Sequence, residues 1–144
     1  MSIEEVFRAL NKKGVRYLLV GGLASVLHGV PRTTMDIDIA IDPEKANLKN
    51  CISALKGIGM SSDTEHVDEI LGQGGITFDN ELSVDLLTDL PKGEDFEDLW
   101  KGRKVVEYQG IKLTVISKRD LRRILTKVGR KQDFEDLEYL KGPR

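Results

Sequence analysis

Residues 17–41 read YLLVGGLASVLHGVPRTTMDIDIAI, and the two ends of this stretch decide the fold. At its start, Tyr17-Leu-Leu-Val20 is a short apolar run stopped by Gly21-Gly22, the pattern of a buried strand that turns sharply. At its end, Met35 to Ile41 alternates strictly, with Ile37, Ile39 and Ile41 on one face and Asp36 and Asp38 on the other. An apolar face buries that side of the strand, so the acidic side borders solvent, a cleft or a metal site. Between the two strands, Leu23 to His28 reads as a short helix closed by Gly29 and Pro31.

Upstream, Ser2 and Glu5 have capping-box spacing, and Ile3, Val6, Phe7 and Leu10 recur at helical spacing, which predicts a helix over 2–13. Downstream, Asp42-Pro43 supplies an N-cap and first-turn proline for a helix reaching about Lys56, with Leu48, Ile52 and Leu55 inward. The signal weakens from Gly57 to Gly75, and Gly72-Gln-Gly-Gly75 reads as a mobile loop. Strands are expected at Ile76–Phe78 and Leu82–Thr88, joined by a turn at Asp79-Asn80. A short acidic helix at Glu94–Trp100 precedes a hairpin, Val105–Tyr108 and Ile111–Val115, turning at Gln109-Gly110. Ser117 caps a basic helix, and after a break near Gly129–Lys131 a last helix carries Phe134, Leu137 and Leu140 at helical spacing. Strands interleaved with helices in this order predict an α+β (α/β-like) domain, a mixed sheet with flanking helices.

The chain has 144 residues, 22 Lys plus Arg against 24 Asp plus Glu, a net charge of -2, 40% hydrophobic residues and one cysteine. This predicts a single domain spanning 1–144 that needs no disulfides. Cys51 stands alone, as a small apolar core residue in a reducing compartment would. The start MSIEEVFRAL does not read as a signal peptide and no apolar run approaches a bilayer span, so a cytoplasmic protein without a membrane partner is expected. The balanced charge argues against a general nucleic-acid binder, and 6% aromatic residues leave no stacking platform for single strands, so RNA is not indicated. The charge is nevertheless uneven: residues 60–100 hold twelve acidic residues and one basic, and residues 118–131 hold seven basic and one acidic. These segments are expected to attract one another. Arg119, Arg123 and Lys127 share one helical face, with Arg130 near it, that could also meet a triphosphate or an RNA backbone.

Two carboxylates at i and i+2 on one strand face can hold a hard divalent cation between them. Gly21-Gly22 lies between a strand and a helix start, where free N–H groups favour an anion and a missing Cβ lets phosphate approach the backbone. Thirteen residues separate Gly22 from Asp36. Together the two features suit a nucleotide whose phosphates are bridged to the carboxylates by Mg²⁺ or Mn²⁺. The run GGLASVLHGVPRTTMDIDI, residues 21–39, resembles the signature of the DNA polymerase β type nucleotidyltransferase superfamily. It is most similar to small prokaryotic members: lincosamide nucleotidyltransferase-like proteins, AbiEii-type toxins and minimal nucleotidyltransferases.

The resemblance implies the nucleotidyltransferase fold and transfer of an NMP, most simply AMP from ATP, to an acceptor hydroxyl on a small molecule, tRNA or protein, with release of pyrophosphate. It implies a third carboxylate beside Asp36 and Asp38, with Asp85 as the first choice and Asp79 and Asp89 as alternatives, the set binding metal and carrying catalysis. It also implies nucleotide contacts from Gly21, Gly22, Arg32 and Thr34. Gly22 stands where many relatives carry serine, leaving Ser25 as a substitute hydroxyl. Residues 130–137, RKQDFEDL, resemble the C-terminal Arg-x-Lys-Asp-x-x-Asp-Leu pattern of AbiEii-type proteins, with Gln132 where lysine is expected and Lys127 or Lys131 as substitutes. His28 is expected to bond carbonyls at a helix end, and two histidines with one cysteine provide no zinc site. The alternative is an antitoxin-like or degenerate binding module of the same fold. In either case a protein partner or second copy could complete the site.

Overall fold

The computed structural model describes residues 1–141. Within them lie strands β1 (Tyr17–Val20), β2 (Asp36–Ile41), β3 (Gly75–Asp79), β4 (Ser83–Leu87), β5 (Lys104–Tyr108) and β6 (Ile111–Val115). The helices are α1 (Ile3–Lys12), α2 (Gly21–Leu27), α3 (Lys45–Gly57), α4 (Val67–Gln73), α5 (Phe96–Lys101), α6 (Lys118–Val128) and α7 (Lys131–Leu137). The strands form one mixed sheet in the order β3-β4-β2-β1-β6-β5. β2 runs antiparallel to β1 and parallel to β4, and β3–β4 and β5–β6 are antiparallel pairs. The architecture is α+β.

All four residues of β1 are buried, which requires cover on both faces at the centre of the sheet. Ile37, Ile39 and Ile41 are at most 1% exposed, each contributing about 1.5–3 kcal/mol of transfer free energy. The opposite face of β2 grades from exposed Asp36 through half-buried Asp38 to buried Ala40, so the acidic face runs from solvent into the fold. α2 packs on β1 and β2 and touches α6, which in turn carries α7; α1 packs on α3.

Local signals explain most element ends. Ser2 and Ser117 cap α1 and α6 by accepting from the N–H groups of Glu5 and Asp120. Gln109 (φ 51°) and Gly110 (φ 78°) both lie in the left-handed region, the geometry of a tight hairpin turn. His28 Nε2 bonds the Ile116 carbonyl at 2.7 Å, a structural role at a helix end. Cys51 is fully buried in the core, and burial pushes its thiol up to about 12.

Three expectations are corrected. The third helix begins at Lys45 rather than at Pro43, because Asp42 is drawn into a half-buried ion pair with Arg16 at 2.7 Å and accepts the Glu44 N–H instead of capping the helix. The stretch read as a mobile loop contains α4, whose Ile70 is fully buried and whose end is closed by Gly74 at φ 82°. In α7 Asp133 and Asp136, each 2% exposed, turn inward where Phe134 is expected, which is instead 53% exposed, while Leu137 packs on the core and Leu140 is buried as expected.

Candidate active site

The parallel register of β2 and β4 sets Asp38 directly opposite Asp85. Thr77 on β3 donates its hydroxyl to Asp85 Oδ1, and Asp85 lies near enough to Asp38 to raise its carboxyl. Burial, then the close approach of Asp85, then the charges of Asp85 and Asp36, push the Asp38 carboxyl up from 3.8 to about 6, and the positive charge of Arg130 pulls the other way. The pair faces a cleft of about 590 Å³ between the β3–β4 edge and α6. Beyond Asp38, Asp85 and Arg130 its walls are mostly apolar, with Leu90, Leu121, Ile124 and Val128 among them.

Gly21, at φ 64°, lies against the acid: a Cβ there would stand 2.3 Å from Asp38 Oδ2. Gly22 lies against the base. A Cβ on it would stand 3.1 Å from Arg32 Nη2 and 3.3 Å from Thr34 Oγ1. The two glycines therefore give room to an aspartate and an arginine that come from the far end of the same loop.

The sequence matches no family profile. It also matches no curated protein. The backbone does have solved counterparts. It is similar to a candidate nucleotidyltransferase from Thermotoga maritima, with a TM-score of 0.68 and 23% identity over 94% of this chain and 88% of that one. It is similar to the lincosamide antibiotic adenylyltransferase LnuA in its lincomycin-bound form, with a TM-score of 0.67 and 20% identity over 99% and 98% of the two chains. The chain has the nucleotidyltransferase fold. A third counterpart, ANT(2″)-Ia in complex with adenylyl-2″-tobramycin, has a TM-score of 0.62 and 14% identity over 96% of this chain and 84% of that one.

Within this nucleotidyltransferase fold the expected site residues separate into three groups. Asp38, Asp85 and Gly21 share the cleft, and Gly22, Arg32 and Thr34 adjoin them on the glycine turn. Asp36 is exposed at the first position of β2 and acts on Asp38 through its charge. Among the described residues no three acidic, histidine or cysteine side chains are gathered into a ready cation cage; the pair Asp38–Asp85 is the part that is assembled. The alternatives for the third carboxylate lie elsewhere: Asp79 accepts from the Ser83 hydroxyl, and Asp89 sits against Gly74.

Two residues expected to touch nucleotide are engaged otherwise. Ser25 is completely buried, which removes it from solvent contact; its hydroxyl faces Asp136 without closing a well-formed hydrogen bond, yet lies near enough to help hold that carboxylate charged. Lys127 is bonded to Glu94 and to the Lys92 carbonyl. Arg123 shares the same partner, bonding Glu94 at 2.7 and 2.9 Å, so the basic and acidic segments do meet, on a carboxylate whose side chain is 3% exposed.

Arg130, Asp133 and Asp136, which the sequence offered only as part of a family-like C-terminal pattern and, for Arg130, as a neighbour of the basic face, were not assigned to the site and are found beside it. Arg130 lines the cleft with Asp38. It is held by Asp133, whose Oδ2 accepts from its Nε and whose Oδ1 accepts from its Nη2, both at 3.0 Å. Asp136 grips Arg32 in the same bidentate way, at 2.9 and 2.8 Å. Burial pushes the Asp136 carboxyl up, but hydrogen bonds from Arg32 and Gln132 outweigh it and leave the carboxyl lowered. The available signal was RKQDFEDL itself, whose two aspartates at i and i+3 share a helical face.

Proposed function

We propose that this chain transfers a nucleoside monophosphate, most simply AMP, from a nucleoside triphosphate to an acceptor hydroxyl, with release of pyrophosphate. The observation that carries the reading is the Asp38–Asp85 pair, in register on parallel strands, facing the cleft beside a glycine turn. Two carboxyls held opposite one another, one of them pushed up by the other's charge, are a hard-oxygen donor set suited to Mg²⁺ or Mn²⁺, since a cation between them would relieve their repulsion. Asp38 and Asp85 would hold it, with Asp36 adding charge from the same strand face, and when bound it would supply charge neutralisation to the polyphosphate.

The chain's own groups position and exchange protons. The glycine turn receives the phosphates, with Arg32 and Thr34 as donors beside it. The acceptor hydroxyl gives its proton to Asp85 as its oxygen bonds to the α-phosphorus, and the bond from that phosphorus to the bridging oxygen breaks, releasing pyrophosphate. The apolar wall of Leu90, Leu121, Ile124 and Val128 accepts the uncharged part of nucleotide or acceptor. LnuA is named an adenylyltransferase and ANT(2″)-Ia was captured with adenylyl-2″-tobramycin, which supports AMP as the group moved and a small hydroxylated molecule as acceptor.

Calorimetric titration of each NTP with Mg²⁺ tests the reading, comparing the native chain with the double variant Asp36→Ala, Asp38→Ala. Saturable, metal-dependent binding that the folded variant lacks is the expected result. A folded native chain that binds no NTP would overturn it and favour the binding module.

A further inference from the structure

The helix α7 buries two carboxylates, Asp133 and Asp136, each 2% exposed. Each grips one arginine through Nε and Nη2. The two arginines come from different parts of the chain, Arg32 from the loop before β2 and Arg130 from the turn before α7. They lie near enough for the charge of Arg130 to act on Arg32. Arg32 lies over Gly22, next to the glycine that makes room for Asp38, whereas Arg130 lines the cleft that Asp38 and Asp85 face. In both arginines Nη1 has no hydrogen-bond partner among the described residues, so one edge of each fork remains available.

The Arg32 side chain is 26% exposed and that of Arg130 69%, so it is the two carboxylates that are desolvated, and burying a carboxylate to hold an arginine is seldom a net gain over an apolar residue of the same size. Fixing the plane and direction of a guanidinium is what a bidentate carboxylate does well. We infer that Asp136 and Asp133 are positioning residues that hold Arg32 and Arg130 beside the carboxylate site, and that the two guanidinium forks together take the nucleotide's polyphosphate. This rests on the nucleotidyl-transfer reading and adds to it the second half of the phosphate site, built by a helix that touches no substrate. Gln132 supports the same arrangement by donating to Asp136 Oδ1 at 2.9 Å, which keeps that carboxylate oriented toward Arg32.

The test uses the intact chain with Mg²⁺ and two probes, ATP and inorganic tripolyphosphate, in calorimetric titrations. The native chain is expected to bind both. Asp136→Asn keeps the side-chain shape but loses the charge, and Arg32→Lys keeps the charge but loses the fork; each should weaken tripolyphosphate binding by roughly tenfold or more, the usual scale for loss of an orienting partner. Because Asp136 acts through Arg32, the double variant should bind no more weakly than the weaker single variant. Asp133→Asn should weaken binding independently, through Arg130. A melting temperature that falls while tripolyphosphate binding stays native would overturn the inference and leave α7 a purely structural brace. Should Asp136→Asn fail to fold, Arg32→Lys and Asp133→Asn decide alone. A folded native chain that binds neither probe would instead overturn the nucleotidyl-transfer reading itself.

Discussion

Replacing Asp85 by Asn should make this chain more stable at pH 7.5 while abolishing transfer. The Asp38 carboxyl is raised from 3.8 to about 6, first by burial, then by the close approach of Asp85 and the charges of Asp85 and Asp36. For a carboxyl raised on folding, stability is greatest when the group is protonated and falls as pH climbs from about 4 through 6, because above that the folded chain must hold it ionised. A rise of that size corresponds to ~3 kcal/mol, and solvent screening at a partly exposed carboxylate discounts it to about 1–2 kcal/mol. Burial remains in Asp85→Asn, so the relief is about 1 kcal/mol, or about 3 °C in melting temperature. The substitution keeps an oxygen for the Thr77 hydroxyl to donate to. Thermal and urea unfolding at pH 7.5 and pH 4.5 measure the difference: a gain at the higher pH that disappears at the lower. Millimolar Mg²⁺ should stabilise the native chain at pH 7.5 and leave Asp85→Asn unchanged. A variant less stable than native at pH 7.5, or a difference independent of pH, would refute the repulsion on which the reasoning stands.

Gly21→Ala should lower stability by about 1–2 kcal/mol from its left-handed backbone alone, and should abolish NTP binding because the new Cβ would stand 2.3 Å from Asp38 Oδ2. Gly22→Ala meets the end of a long side chain instead, at 3.1 Å from Arg32 Nη2, and should be milder; equal losses in melting temperature and binding would contradict this ordering. Glu94→Gln leaves Arg123 and Lys127 without their shared anion but half able to rehydrate, at 42% and 36% exposure, a cost of about 1–2 kcal/mol at pH 7. Arg123 above all, opposed by burial and helped by Lys127, holds the Glu94 carboxyl down at about 2. That stability is therefore present above the ordinary 4.5 and lost as pH falls toward 2, so acid melting curves of native and Glu94→Gln should converge below pH 3.

Residues whose side-chain chemistry agrees with their local pattern were legible. The alternation of Asp36 to Ile41 gave a strand with an acidic face, and a buried Ile37-x-Ile39-x-Ile41 face is what the sheet contains. Ser2, Ser117 and Gln109-Gly110 act locally, so their caps and turn could be read without knowing the rest of the chain. Residues whose fate depends on a distant partner could not. Asp42 has the type and place of an N-cap, yet Arg16, 26 positions away, takes it into an ion pair. Lys127 lies on the basic face that could meet phosphate, and Glu94, 33 positions away, binds it instead. In Gly72-Gln-Gly-Gly75 the glycines read as a loop, although Gly74 is the closing residue of a helix anchored by Ile70.

The reversal at α7 is the most informative of these failures. Periodicity assigns the interior to Phe134, and the fold places Asp133 and Asp136 there. Burying two carboxylates to hold two arginines contributes little stability that apolar side chains would not match, and the Asp38–Asp85 pair subtracts from stability at neutral pH. Both departures from the most stable packing surround the same two glycines, Gly21 against the acid and Gly22 against the arginine. Local rules are expected to fail together where a chain is built for something other than stability. Their coincidence around one glycine turn ties the C-terminal helix to the carboxylate site, although 94 residues of sequence separate Asp36 from Lys131.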